Sequence, residues 1–102
     1  MTQQKKWDIK YSRGFIEKFV RITEHISLTY QNETAAQDFA KIVDEIIVKR
    51  SEMPTSFAKQ KSHGGNEFYS IVFRRKWVIY YVVVDDRMLV FDISYYSMGE
   101  IG

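Results

Sequence analysis

The stretch from Phe68 to Tyr96 leaves this chain few folds to choose from. It divides into three segments dominated by β-branched and aromatic residues, the side chains that strands prefer. Phe68–Phe73 is followed by the basic turn Arg74-Arg75-Lys76, Trp77–Val84 closes on Asp85-Asp86-Arg87, and Met88–Tyr95 comes last. Connections this short make consecutive hairpins, so the sheet is expected to be largely antiparallel. The middle segment, Trp77-Val-Ile-Tyr-Tyr-Val-Val-Val84, is apolar at both alternating sets of positions, which predicts a central strand covered on both sides. In the last segment Leu89, Phe91 and Ile93 are expected to point one way, with Asp92 and Ser94 pointing the other.

The residues before this sheet supply its cover. Trp7-Asp-Ile-Lys-Tyr11 alternates as a half-buried strand does, and Ser12 is a plausible helix N-cap. Phe15, Phe19, Ile22 and Ile26 then recur at helical spacing, with Val20 beside them, and predict an amphipathic helix ending near Tyr30. After the short connection Gln31-Asn32-Glu33, Thr34-Ala-Ala-Gln37 matches a capping box. Ala36, Phe39, Ala40, Val43, Ile46 and Ile47 form the buried stripe of a second helix, which Met53-Pro54 stops by about Glu52. Two helices so closely joined make an antiparallel hairpin, and its joint stripe faces the sheet. Thr55–Asn66 reads as a polar loop that Phe57 pins to the core and Gly64-Gly65 allow to turn tightly. The expected architecture is α+β, one domain over residues 1–102, ordered β-α-α-β-β-β with a helical hairpin on a mainly antiparallel four-stranded sheet.

Composition narrows the chemistry. There is no cysteine, which excludes disulfides, thiolate metal sites and a cysteine nucleophile. Two histidines and no clustered carboxylates give no metal motif, and no cofactor is implied. The polar opening Met1–Lys6 lacks the apolar stretch of a signal peptide and no run is long enough to span a membrane, so a cytoplasmic location is expected.

The net charge of +2 says little, but its distribution says more. Lys59, Lys61, His63, Arg74 and Arg75 face only Glu67 over that stretch, while the helical half is more acidic. A basic edge of this kind attracts phosphates. Arg74, Arg75, His63 and Tyr69 are therefore candidate nucleic-acid contacts, although a loop histidine can be plain surface and a strand tyrosine can simply bury its ring. Tyr95 and Tyr96 end the last strand on opposite faces, so one of them should stand exposed beside the sheet, available for base stacking or proton transfer.

In their order and spacing these pieces resemble the RelE/ParE superfamily of toxins from type II toxin–antitoxin modules. The resemblance rests on Trp7-Asp-Ile-Lys-Tyr-Ser12, Tyr30-Gln-Asn32, Ala35-Ala36, Met53-Pro54, Phe68-Tyr-Ser-Ile71, and Trp77-Val-Ile-Tyr-Tyr81 followed by Asp85-Asp86. It implies one fold with two activities: RelE-like members cut messenger RNA on the ribosome without a metal, and ParE-like members poison DNA gyrase. It also implies a cognate antitoxin that wraps the toxin.

For the ribonuclease activity, the 2′-hydroxyl must be deprotonated, the leaving oxygen protonated, and the phosphorane charge held by cations. The resemblance places Lys59 and Lys61 in the region of the family's lysines and Tyr95 and Tyr96 at the end of the last strand, so these four are the catalytic candidates. A crowded cationic site would lower the pKa of one of the lysines. Where RelE-like members often have an arginine opening the strand, this chain has Tyr69, and Tyr95-Tyr96 replace the frequent histidine-arginine pair.

Overall fold

The computed structural model describes residues 7–95, so Tyr96 lies outside the described residues. Strand β1 (Asp8–Tyr11) leads into helices α1 (Arg13–Tyr30) and α2 (Glu33–Arg50). Strands β2 (Gln60–Lys61), β3 (Glu67–Phe73), β4 (Trp77–Val84) and β5 (Arg87–Tyr95) follow. They form one five-stranded sheet in the order β1-β5-β4-β3-β2. β1 runs parallel to β5, and every other pair is antiparallel.

The helices start and stop where local chemistry directs. Ser12 caps α1 by accepting from the Phe15 amide at 3.0 Å, and its hydroxyl donates to the Phe91 carbonyl at 3.2 Å, tying the cap to β5. Gln31 ends α1 in the left-handed region, φ 49°. The cap of α2 is Asn32 rather than Thr34: its side chain accepts from the Thr34 amide at 2.9 Å, so the cap lies two residues earlier than the expected capping box placed it. Glu33 then sits in the first turn and Lys49 and Arg50 in the last, each complementing the helix dipole.

Three features of the sheet depart from expectation. The first is β2, two exposed residues inside the expected Thr55–Asn66 loop, which pair with Phe68 and Glu67. So short a strand has no periodicity to read and is held by its ladder alone.

The second is a β-bulge. Tyr80 pairs with Asp92 but Tyr81 pairs with Val90, which leaves Phe91 as the extra residue. A one-residue insertion exchanges the faces of everything beyond it. Met88, Val90 and Ile93 therefore all reach the core with no exposure, whereas Leu89 and Phe91 line the opposite face of the sheet. The expected grouping of Leu89 and Phe91 with Ile93 is thus broken.

The third is that β4 is central but, among the described residues, buried along its length on one side only, the other side being buried just at Val78. Trp77, Ile79 and Tyr81 are buried against both helices, while Tyr80 and Val82 on the other face are half-buried. Both helices pack on the first face, and among the described residues no helix covers the apolar second face.

Phe39, Val43 and Ile47 of α2 and Phe15 of α1 enter the core, with Phe19, Ile22, Ile26 and Ile46 packed at its margin. Val20 faces solvent. An aromatic ladder crosses the helix–sheet boundary. Phe15 stacks on Phe19 at 5.7 Å, Phe19 on Phe39 at 6.2 Å, and Phe39 meets Trp77 edge-on at 5.0 Å. At the other end of the core the buried Tyr81 hydroxyl donates to the Pro54 carbonyl and accepts from the Arg50 guanidinium, each at 2.8 Å. The same guanidinium lies 3.5 Å over the ring of Phe57. Phe57 itself is half exposed, so the loop is pinned through Arg50 rather than by burial in the core.

Phe39 links both helices to β4, and Phe39→Ala is expected to cost about 3–5 kcal/mol in urea unfolding. Burial pushes the Tyr81 phenol above its ordinary value of 10.0, against the opposing pull of Arg50. A raised folded-state pKa gives stability that is complete below the unfolded value and is lost as pH rises through the folded one. The protein should therefore lose stability above about pH 10. Tyr81→Phe is expected to be less stable by about 1–3 kcal/mol at neutral pH and to show a smaller alkaline loss, read from unfolding curves at a series of pH values.

Candidate nucleic-acid interface

Register decides which of the sequence-predicted residues can act together. Phe73, Trp77 and Tyr95 are paired neighbours and form one end of the sheet. Lys61 pairs with Glu67, and Val84 with Arg87, at the other end. The strand β3 lies between, so the two ends are roughly 20 Å apart at about 3.3 Å per residue. Lys59, Lys61 and His63 belong to one end; Arg74, Arg75 and Tyr95 belong to the other. The basic stretch from Lys59 to Arg75 is continuous in sequence but does not make one edge in space.

The lysine end is electrostatically balanced. Lys59 donates to the Glu67 carboxylate at 3.1 Å, and this bond raises its pKa, the reverse of the lowering that a crowded cationic site would produce. Lys61 is exposed on β2 beside it, and His63 is exposed in the turn that Ser62 and Asn66 close at 2.9 Å. Asp85 and Asp86, in the β4–β5 turn, share this end of the sheet. Tyr69 is buried, its ring stacked on Tyr81 at 5.0 Å, and has no face to offer a base.

The Tyr95 end is different. Lys18, Arg21 and His25 lie on successive turns of α1 and look across at Trp77, Ser94 and Tyr95 over a cleft of about 460 Å³. A second depression, separate but sharing His25, Ile26, Trp77 and Tyr95 as lining, reaches Arg74 and Lys76. Lys18 is paired with Asp92 at 2.9 Å. Among the described residues no ion pair joins Arg21, Arg74, Arg75 or Lys76 to a carboxylate. Tyr95 is 63% exposed as a residue, and its ring stacks on the buried Trp77 at 4.4 Å, with an interplanar angle of 20°. Trp77 is fixed in turn by Phe39, so the tyrosine is a braced, flat, outward-facing ring.

The turn that carries the arginines is strained. Arg74 and Arg75 have φ values of 55° and 54°, and the Lys76 amide closes the turn on the Phe73 carbonyl at 3.2 Å. Two consecutive positive φ values match a type I′ hairpin turn, whose low-energy residues are Asn-Gly. A side chain at each position costs about 1–2 kcal/mol.

Of the residues singled out from the sequence, Arg74 and Tyr95 line these depressions and Arg75 sits in the turn beside them, whereas Lys18, Arg21 and His25, which also line them, were not singled out. Their i, i+3, i+7 spacing was the available signal: three cationic or titratable residues on one helical face beside the apolar stripe. The opposite face of the sheet holds a separate, apolar depression of about 800 Å³ lined by Phe68, Tyr80, Val82, Leu89 and Phe91. Among the described residues no group of three or more His, Asp or Glu side chains is placed to hold a metal ion, and no helix is long and apolar enough to cross a membrane.

No family model matches the sequence, and no curated protein matches it. Solved structures do. A chain described as the chromosomal ParDE TA system from P. aeruginosa superposes with a TM-score of 0.69 at 14% identity, covering 90% of this chain and 98% of that one. A conserved hypothetical protein from Helicobacter pylori matches with a TM-score of 0.50 at 10% identity, covering 88% and 94%. The helical hairpin on one face of an antiparallel sheet, with β1 added in parallel beside β5, is thus a RelE/ParE-like fold, the one that the order of the sequence motifs resembles.

Proposed function

We propose that this protein is the growth-inhibiting toxin of a type II toxin–antitoxin module and that it acts by binding its target, the mode linked to DNA gyrase, rather than by cutting RNA. The fold shared with a chain of a ParDE TA system supports the toxin role. The observation that carries the binding mode is the separation of Lys59 and Lys61 from Tyr95 by the length of β3. A metal-free ribonuclease needs its phosphate-holding cations within reach of the groups that move protons, and these residues do not meet. The apolar sheet face around Tyr80, Leu89 and Phe91 suits the cognate antitoxin, since covering it would remove the remaining water from half-buried aromatic rings.

A second reading, ribosome-dependent cleavage of messenger RNA, has one observation in its favour. The two depressions at the Tyr95 end bring a histidine, a phenol and several cations close together. Expression of the protein should arrest growth, and co-expression of the neighbouring small reading frame should relieve the arrest and give a stable complex. Purified protein should reduce gyrase-dependent supercoiling and leave ribosome-bound message intact. Cleaved message with unchanged supercoiling would replace the first reading by the second, and undisturbed growth would remove the toxin reading.

A further inference from the structure

We propose that the outer edge of β3, from Tyr69 to Phe73, is a docking surface for a second copy of this chain, joined strand against strand about a two-fold axis at Ile71. The inference does not rest on the toxin reading, and the surface is separate from the apolar far face of the sheet.

The edge is open. β2 covers β3 only at Glu67 and Phe68, and no other strand lies on that side among the described residues. Hydrogen bonds fix which way the backbone points. On the β2 side the Ser62 amide donates to the Asn66 carbonyl at 2.9 Å, and the Arg50 guanidinium donates to the Ser70 carbonyl at 3.5 Å. On the β4 side the Lys76 amide donates to the Phe73 carbonyl at 3.2 Å. Alternate residues of an antiparallel strand address opposite neighbours, so Ser70 and Val72 turn both amide and carbonyl outward. Of these groups only the Ser70 carbonyl has a partner among the described residues, and a carbonyl can accept a second bond. Soluble proteins commonly blunt such an edge with lysine, proline or a bulge. Tyr69-Ser-Ile-Val-Phe73 has no charge and no proline, and it pairs with β4 in unbroken register. Met53, Phe57 and Val72, beside it, are each about half exposed.

The limits of the edge select an identical strand. β2 closes it at Phe68, and the Arg74-Arg75 turn ends β3 at the other side. A second β3, antiparallel about Ile71, fits between these limits with Ser70 opposite Val72 of the second copy, and every outward group is then bonded. Centring the pair on Ser70 would set Val72 against Phe68, which Gln60 already holds. Centring it on Val72 would set Ser70 against Arg74, where the chain has left the strand. At the chosen register Ile71 meets its own equivalent on the axis and Tyr69 meets Phe73, an aromatic cross-strand pair.

Charge agrees. Ile71 shares a depression of about 620 Å³ with Glu45, Lys49 and Arg50 of α2. An axis at Ile71 sets the α2 helices of the two copies antiparallel and brings Lys49 of each toward Glu45 of the other. Among the described residues neither side chain has an ion pair. A patch carrying both signs is complementary to itself across a two-fold axis. A strongly acidic or strongly basic segment would meet its own sign there.

An interface this short belongs with those below about 1,200 Å², so association is expected at micromolar rather than nanomolar concentration. Sedimentation equilibrium of the full chain should rise with concentration from 12.1 kDa toward twice that mass. Over the same range, exchange of the Ser70 and Val72 amides should slow by at least about tenfold. Val72→Pro removes an outward donor and spares the β4 ladder, and Val72→Lys puts a charge on the edge; each should weaken association by at least about tenfold. Val20→Lys makes the second change at an equally exposed valine on α1 and should alter it by less than about twofold. Lys49→Glu and Glu45→Lys should each associate about threefold more weakly, and their equimolar mixture should recover the affinity of the parent. The proposal is overturned if the parent stays monomeric at every soluble concentration, or if both Val72 variants associate like the parent. It is equally overturned if Val20→Lys weakens association as much as Val72→Lys, or if the charge-swapped mixture associates no better than either variant alone. Ser70 and Val72 amides that slow only when the neighbouring reading frame is co-expressed would also overturn it and give the edge to that partner.

Discussion

The Tyr81 hydroxyl sits 2.8 Å from both the Arg50 guanidinium and the Pro54 carbonyl, at the edge of a sheet face from which water is excluded. That contact joins the end of α2, the loop after it and the central strand. Around it the dry face holds Ile79, Met88, Val90 and Ile93 without exposure. Losing a partner there leaves a polar group stranded in low dielectric, which costs more than the bond contributes when made. Everything else is arranged by what this face can and cannot cover. The helices bury it, and the bulge at Phe91 keeps both Val90 and Ile93 turned toward it. Among the described residues no helix covers the far face, which is apolar and only partly buried.

Much of this was legible because it depends on periodicity. A period of 3.6 marked Phe15, Phe19, Phe39, Val43 and Ile47, and the short turns fixed the antiparallel order of the last three strands. What failed to show depends on single residues or on backbone alone. Thr34 and Asn32 are both good cap residues, and the choice went to the one whose adoption places Glu33 in the first turn. The bulge adds one residue to a run of strand formers, and Val90-Phe91-Asp92 carries no mark of it. β2 consists of ladder bonds between exposed residues. The cleft was half legible: Arg74, Arg75 and Tyr95 stood out individually, but knowing that they share an end of the sheet with Lys18, Arg21 and His25 requires the crossing of α1 over β5.

Register also explains why two basic regions, close in sequence, behave differently. At the β2 end the cations Lys59, Lys61 and Arg87 sit among Glu67, Asp85, Asp86 and Asp8, so positive and negative charge nearly cancel. At the Tyr95 end the turn holds Arg74, Arg75 and Lys76 with no acid of its own. The sheet therefore carries its positive field at one end. Opposed charges only a few ångströms apart cancel within a Debye length, about 8 Å at physiological salt, whereas an unopposed cluster still acts on an approaching polyanion. A near-neutral protein can in this way attract phosphates at a single place.

The cleft and the apolar depression lie on different sides of the sheet, so a partner on one does not cover the other by simple overlap. One side-chain pair connects them. Asp92 borders the apolar depression, and its carboxylate holds Lys18, which borders the cleft. The bulge makes this connection, since it places Phe91 and Asp92 side by side where β5 extends past β1 and α1 crosses above. The pair is partly solvated and contributes little to stability, but it fixes where the Lys18 charge points. The ion pair lies away from the Arg50–Tyr81–Pro54 contact, so the core around Tyr81 does not depend on it.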